Sequence, residues 1–234
     1  MRESFIIMPV KDSLQTTERA VRAIIASGHQ LTVYDDNSTK ENARRLEELA
    51  AELSFNMVHI ADYTDHPSPN YLFVLQQAQQ TAIATDKHLI IVESDVMVKP
   101  DTIELLCKEA DKENIGLVAA VTEDEAAEIN FPYLYLKGKK LDRVMSIGKR
   151  LSFCCTLLTN SFLNSYSFSE LDPNKNWYDV QISHKSLELG YGNLLLTQNR
   201  VLHLPHSSRP WKKLKYTNPL KYYWQKLIYG RDKI

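Results

Sequence analysis

The chain has 234 residues, 44% of them hydrophobic and 24% charged, and a net charge of −1. That length suits one α/β domain with a short appendage and supplies a substantial core. Seven glycines are few, and neither the Gly-x-Gly-x-x-Gly nor the Gly-x-x-x-x-Gly-Lys-Ser/Thr pattern occurs. A nicotinamide-dependent or P-loop enzyme is therefore not expected.

The cysteines and the N-terminus indicate where the protein works. Cys107, Cys154 and Cys155 make an odd count with a vicinal pair, and no Cys/His spacing resembles a zinc site. The first apolar run is six residues long and is cut by Pro9, too short for a signal peptide or a membrane span. We therefore expect a reducing, cytoplasmic location.

The first half of the chain alternates predicted strands and helices. Apolar runs predict strands at 4–10, 31–34, 56–61, 88–93 and 115–121. Helical spacing predicts one helix capped by Thr16 or Thr17 and ended by Gly28, one from a Ser38/Glu41 capping box to Leu53, and others at 70–84 and 101–113. Such alternation is typical of a mostly parallel, doubly wound sheet.

The second half is less regular. Residues 123–128 predict a short helix, 137–140 a turn, 153–158 an edge strand, 160–166 and 177–189 two helices, and 194–204 a late strand. We expect a catalytic domain over 1–208 and a C-terminal tail over 209–234.

Two acids follow the most apolar strand. Residues 89–92 are Leu-Ile-Ile-Val, as in a strand buried on both faces, and Glu93, Ser94 and Asp95 come directly after it. The carboxyl edge of such a sheet is where open α/β folds bind ligands. On an extended segment Glu93 and Asp95 would point to the same side, as hard oxygen ligands for Mg²⁺ or Mn²⁺. Alternatively, the acids only end the strand and cap the next helix.

Four segments in order resemble the family-2-type glycosyltransferases, nucleotide-sugar enzymes with the glycosyltransferase A-type fold. They are residues 5–10 (Phe-Ile-Ile-Met-Pro-Val), 33–38 (Val-Tyr-Asp-Asp-Asn-Ser), 93–95 (Glu-Ser-Asp, with Pro100) and 177–179 (Trp-Tyr-Asp, followed by Gly190 and Tyr191). The resemblance covers roughly residues 4–208. It implies a Rossmann-like α/β fold and transfer from a nucleoside-diphosphate sugar, most simply a UDP-sugar.

The resemblance also implies roles for single residues. Asp36 would contact the base or ribose of the donor, within a donor site formed by Pro9, Val10, Asp36, Asn37 and Ser94. Asp95, Glu93 and His203 would hold Mn²⁺ or Mg²⁺, with His206 as the alternative to His203. Glu93 stands where the family usually has an aspartate. Asp179 would be the general base of an inverting single displacement.

Other functions stay open. A nucleotide-sugar-binding or scaffold protein of the same fold, without turnover, is suggested by Glu93 and by Tyr178, which replaces a frequent acid. A glycoside hydrolase would use paired carboxylates but would not explain the 33–38 segment. A sugar nucleotidyltransferase would have a glycine- and arginine-rich loop after the first strand, and residues 9–12 are not one.

The tail differs from the body in charge. Residues 209–234 contain eight Lys or Arg and one Asp, a net charge of +7 that leaves −8 for the rest. Aromatic residues alternate with these cations, and Pro219 suits the first turn of a short helix over 220–229. We expect peripheral contact of the tail with a membrane next to a glycan or lipid-linked acceptor, and no nucleic-acid partner. Alternatively, the aromatics pack on the catalytic domain.

Overall fold

Strands and helices alternate along the first part of the chain, as the hydrophobic pattern predicts. Their bounds are β1 (Ser4–Val10), α1 (Leu14–Ala26), β2 (Leu31–Asp35), α2 (Lys40–Leu53), β3 (Asn56–His59), α3 (Tyr71–Ala84), β4 (His88–Val92), β5 (Val96–Met97), α4 (Thr102–Ala110) and β6 (Ile115–Glu123). There follow β7 (Val144–Ser146), β8 (Cys155–Leu158), α5 (Asn160–Ser165), α6 (Tyr178–Glu188), β9 (Gly192–His203) and α7 (Pro219–Ile228). This computed structural model describes residues 2–174, 177–204 and 218–228.

Over these residues the strands form one sheet in the order β3-β2-β1-β4-β8-β6-β9-β5, with β7 also paired to β9. β1 to β4 run parallel to one another, and β6 and β9 share their direction because β8 lies antiparallel between β4 and β6. The carboxyl ends of these six strands therefore meet at one edge. The predicted fold class is confirmed.

Helices cover both faces of the sheet. α1, α2 and α4 contribute Val21, Leu46 and Ile103 to one apolar cluster, together with Ile90 of β4. Leu75 of α3, Phe162 of α5 and Ile182 of α6 belong to a second cluster. Neighbouring residues of β4 alternate between the two clusters, which explains why its sequence is apolar throughout.

The structure corrects three expectations for the second half. Residues 153–158 were expected at an edge, but β8 lies in the interior of the sheet, and its four residues are buried. Residues 123–128 form no helix, because Asp124 accepts the backbone N–H groups of Ala126 and Glu128 and closes a turn. The short strands β5 and β7 were not predicted.

The helix starts also differ from prediction. α1 begins at Leu14 after Ser13, ahead of the expected threonines, whose hydroxyls donate back to the Ser13 carbonyl. α2 is capped by Thr39, which accepts the N–H of Asn42, and not by Ser38. The start of a helix depends on which hydroxyl the loop orients toward the free backbone N–H groups of the first turn. More than one Ser or Thr lies close to each of these helix starts.

Residues Met1–Leu204 and Pro205–Ile234 are separate compact units. In the second unit, α7 is the predicted tail helix. The described helices are all too short or too polar to cross a membrane. His206 and most of the tail's cations lie outside the described residues.

Candidate functional site

The segment Glu93-Ser94-Asp95 forms a turn between β4 and β5 at the carboxyl edge of the sheet. Val96 N donates to Glu93 O at 3.0 Å, so the segment is not extended as expected. After the turn β5 pairs with β9, and Val96 stands opposite His203. This register brings a residue more than a hundred positions away next to the acids.

His203 faces Asp95, with 3.5 Å between His203 Nε2 and Asp95 Oδ2. On the other side of the ring, Nδ1 lies 2.7 Å from the carbonyl of Phe131. A carbonyl only accepts, so Nδ1 carries a proton and the ring orientation is fixed. Asn130 Nδ2 also donates to the His203 carbonyl at 2.8 Å. A histidine anchored in this way presents Nε2 as a metal ligand does.

Cys154 lies against the other acid and was not found as a site residue from the sequence. Its Sγ donates to Glu93 Oε2 at 3.1 Å, and Glu93 N donates to the Cys154 carbonyl at 2.9 Å. Pairing of β8 with β4 fixes this contact, because Val92 stands opposite Cys155. Ligand atoms of Glu93, Cys154 and His203 lie within 4.8 Å of one another.

These groups strongly influence one another's charge. Burial and the nearby Asp95 raise the pKa of Glu93, and Asp179 adds a smaller effect of the same sign. Burial alone would lower the pKa of His203, but the hydrogen bond and charge of Asp95, with Glu93, raise it. Burial, then the charge of Glu93, raises the pKa of the Cys154 thiol well above its ordinary value. The two acids therefore favour positive charge at the Nε2 side of the His203 ring.

A divalent cation fits this donor set. Asp95 and His203 are buried, and two neighbouring carboxylates oppose each other's ionisation unless a positive charge lies between them. Carboxylate oxygens and an imidazole with an anchored Nδ1 are suitable ligands for Mn²⁺. Asp95, Glu93 and His203 are the residues that would hold the ion.

Asp179 lies in the first turn of α6 and is partly buried. Its Oδ1 accepts the N–H of Val180 at 2.9 Å. Its effect on the pKa of Glu93, and a similar one on the buried Tyr133, show that it is electrostatically close to the cluster.

Four of the five predicted donor residues lie at or directly after the ends of β1 and β2. Asp36 N donates to the Val10 carbonyl at 2.9 Å, which links the two strand ends. The Asp36 carboxylate is buried and accepts from Ser68 Oγ at 2.7 Å, Asn70 N at 2.9 Å and Asn70 Nδ2 at 2.7 Å. These three bonds hold the loop before α3. Because a carboxylate has about four acceptor positions, one position of Asp36 remains.

The two loops that follow β1 and β2 are bonded together. Lys11 Nζ donates to the carbonyl of Asn37, which has a φ of 58°, a conformation that asparagine tolerates. Ser13 Oγ, at the start of α1, lies 3.1 Å from Ser94 Oγ. Asn37 and Ser94, with Pro9 at the end of β1, thus border one continuous stretch of the sheet edge.

Comparisons with known proteins agree with this architecture. The model of the family described as glycosyl transferase family 2 matches residues 5–163. No curated protein matches the chain. A structure of glucosyl-3-phosphoglycerate synthase from Mycobacterium tuberculosis with Mg²⁺ and UDP is 16% identical, with a TM-score of 0.58, covering 91% of this chain and 74% of that one.

A second similar structure is S. aureus TarS 1-349 in complex with UDP-GlcNAc. It is 12% identical with a TM-score of 0.57, covering 88% of this chain and 60% of that one, so the chain spans less than two thirds of it. At these identities the structures show a shared fold, whereas the family model extends over more than half of the sequence. The chain belongs to glycosyl transferase family 2.

Proposed function

We propose that this chain is an inverting hexosyltransferase that moves a sugar from a nucleoside-diphosphate sugar to a hydroxyl of a glycan or lipid-linked acceptor. The observation that carries the proposal is the meeting of Glu93, Asp95 and His203 at the carboxyl edge of the sheet. Family membership supports the reaction class. UDP is the proposed nucleotide because similar structures hold UDP or UDP-GlcNAc.

Each residue then has a task. Pro9, Val10, Asn37 and Ser94 would border the nucleoside, and Asp36 would use its remaining acceptor position for the base or ribose. Asp95, Glu93 and His203 would hold Mn²⁺ or Mg²⁺, which when bound neutralises charge on the departing diphosphate. Asp179 would accept the proton of the acceptor hydroxyl as its oxygen attacks the anomeric carbon.

The tail is proposed to hold the catalytic domain, 1–208, at the cytoplasmic face of a membrane. In α7 the exposed Leu220, Trp224 and Ile228 are four residues apart and lie on one side of the helix, with exposed Tyr223 beside them. A short helix with such a side suits the headgroup layer, and the +7 charge of 209–234 would attract anionic lipids.

Donor binding and transfer can be tested together. The thermal midpoint of the full chain is measured with UDP, with and without Mn²⁺, and transfer from UDP-sugars is assayed separately. We expect Mn²⁺-dependent stabilisation by UDP, because a ligand that binds the native state raises its stability. Asp95→Ala should abolish that stabilisation and transfer while keeping the midpoint of the unliganded protein, whereas Glu93→Ala should do less.

The matched control is Asp62→Ala, since Asp62 is an exposed aspartate beyond the edge strand β3. It should leave binding and transfer unchanged. Near wild-type transfer by Asp95→Ala would contradict the assignment of the centre. Mn²⁺-dependent UDP binding without transfer to any acceptor would favour the binding or scaffold protein instead.

A further inference from the structure

Cys154 lies beside the candidate metal centre, and the proposed transfer reaction gives it no task. Its side chain is buried, and its Sγ lies 3.1 Å from Glu93 Oε2. Together with His203 it completes a group of three side chains whose ligand atoms are within 4.8 Å of one another. Two of these three donors, the thiol and the imidazole, differ from the oxygen ligands that Mg²⁺ requires.

The position of the thiol is set by the backbone. Glu93 N donates to the Cys154 carbonyl, and the ladder continues into Val92 and Cys155. His203 is placed by the pairing of β9 with β5 and by the Phe131 carbonyl at Nδ1. His203 lies on a paired strand, Glu93 lies in the turn after β4 and Cys154 directly precedes β8, so backbone pairing sets where the three side chains begin.

That spacing is close to what a tetrahedral ion needs. Metal–ligand bonds of about 2.0–2.3 Å put neighbouring ligand atoms roughly 3.3–3.8 Å apart. Glu93 and Cys154 are already at 3.1 Å, and the limit of 4.8 Å for the whole group leaves roughly 1 to 1.5 Å to be closed by small side-chain rotations.

We propose that Glu93, Cys154 and His203 form a site for a borderline-soft divalent cation such as Zn²⁺ or Co²⁺, with Cys154 as a thiolate ligand. The metal–sulfur bond forms as the thiol releases its proton to solvent. The inference rests on the proposed metal centre, because Glu93 and His203 belong to both ligand sets. An ion bound through Cys154 therefore excludes Mn²⁺, and Zn²⁺ inhibits the transferase.

The direct test is a cobalt titration of the reduced full-length protein, followed by absorption in the near ultraviolet. Bonding of thiolate to Co²⁺ gives a charge-transfer band that oxygen and nitrogen ligands do not give. Cys154→Ser keeps a hydroxyl able to donate to Glu93 but removes the sulfur. Cys155→Ser is the matched control, because Cys155 is the neighbouring buried thiol and is not one of the three grouped side chains. Cys107→Ser in α4 is a second control.

We expect a band that saturates at one equivalent of Co²⁺, is lost in Cys154→Ser, persists in whichever control variants fold, and is bleached by Zn²⁺. A wild-type protein without the band, or a Cys154→Ser protein that keeps it, would overturn the proposal. The titration needs neither donor nor acceptor. A band in a protein that fails to transfer sugar would thus reject the proposed function alone, and active enzyme without a band would reject this site alone.

Discussion

Asp179 lies on a helix, whereas the proposed cation ligands lie at a strand end or in the turn between strands. We predict that Asp179→Asn keeps Mn²⁺-dependent UDP binding and loses about 10²–10⁴ in turnover, because the amide preserves shape but accepts no proton. Initial rates of transfer and the UDP-dependent thermal midpoint measure the two effects separately. Equal loss of donor affinity would assign Asp179 to binding.

Glu188→Gln is the control, since Glu188 is exposed at the opposite end of the same helix and pairs with Lys185. It should change neither quantity. The anomeric configuration of the product, followed by NMR, should be inverted. A product with retained configuration would reject a single displacement with Asp179 as its base.

His88 predicts a pH dependence of stability outside the site. Its Nδ1 accepts the N–H of Asn160 at 3.0 Å, and burial, followed by the charge of Arg2, lowers its pKa below the ordinary 6.5. At His88 the unfolded chain therefore binds a proton more readily than the folded one, so the contribution of His88 to stability falls as the pH drops below about 6.5. Urea unfolding at pH 7.5 and 5.5 measures this.

In His88→Asn an amide oxygen takes the place of Nδ1 and does not titrate. The variant should lose less stability than the wild type between the two pH values, even if it is less stable at both. A loss of the same size in both proteins would show that other groups cause the pH dependence.

Single residues of the site were predictable to different degrees. Glu93, Asp95 and His203 end elements with clear apolar patterns, so their meeting at one edge follows from a parallel sheet. Cys154 was not predicted, because local Cys/His spacing indicates only sites built from one segment, whereas its partners Glu93 and His203 are distant in sequence. The bonds of Asp36 to Ser68 and Asn70 also depend on a loop with no periodic pattern.

At the scale of elements, Gly116 shows how closely β6 and α6 pack. A Cβ built on Gly116 would lie 2.1 Å from Ser186 Oγ and 2.8 Å from Tyr191 Cβ. Ser186 is itself buried and donates to Asn193 Oδ1 at 2.8 Å. We predict that Gly116→Ala destabilises the fold by about 1–3 kcal/mol, the usual cost of overpacking, as measured by urea unfolding.

Gly148→Ala provides the comparison, since Gly148 is exposed and, its chain neighbours apart, no atom of the described residues lies within 4 Å of the added Cβ. Its effect should stay within about 0.5 kcal/mol, as for most surface substitutions. If the two variants were equally stable, the space between β6 and α6 would be larger than the distances indicate.

The existence of most elements was predictable, but their order in the sheet was not. Apolar runs and helical spacing locate β1 to β4 and their helices, because helices and strands differ in the spacing of their apolar residues. The four buried residues of β8 suit an interior strand, yet a short apolar run does not indicate which strands pair with it. The two-residue β5 is too short to show any period.

For the whole molecule, the tail gives a prediction for membrane attachment. The full chain should float with anionic vesicles at low salt and detach as salt rises. Each Lys or Arg near the surface contributes about 1 kcal/mol of electrostatic attraction, and salt screens this attraction. A chain of residues 1–208 should remain folded, since both apolar clusters lie within it, and should not float.

A full-length variant with Leu220, Trp224 and Ile228 changed to glutamine separates charge from the apolar side of α7. It should bind vesicles more weakly than the full chain at equal net charge. A full-length protein that never binds anionic vesicles would refute attachment and favour an acceptor free in solution.

The central place of β8 has a consequence for biosynthesis. Residues 155–158 pair with 89–92 on one side and with 117–119 on the other, so the sheet is continuous only after they have been made. On the ribosome, the β1 to β4 half can assemble first, with β4 as an open edge able to pair with a foreign strand. We therefore expect nascent chains stalled before Cys155 to need a chaperone more than chains stalled at other stages of synthesis.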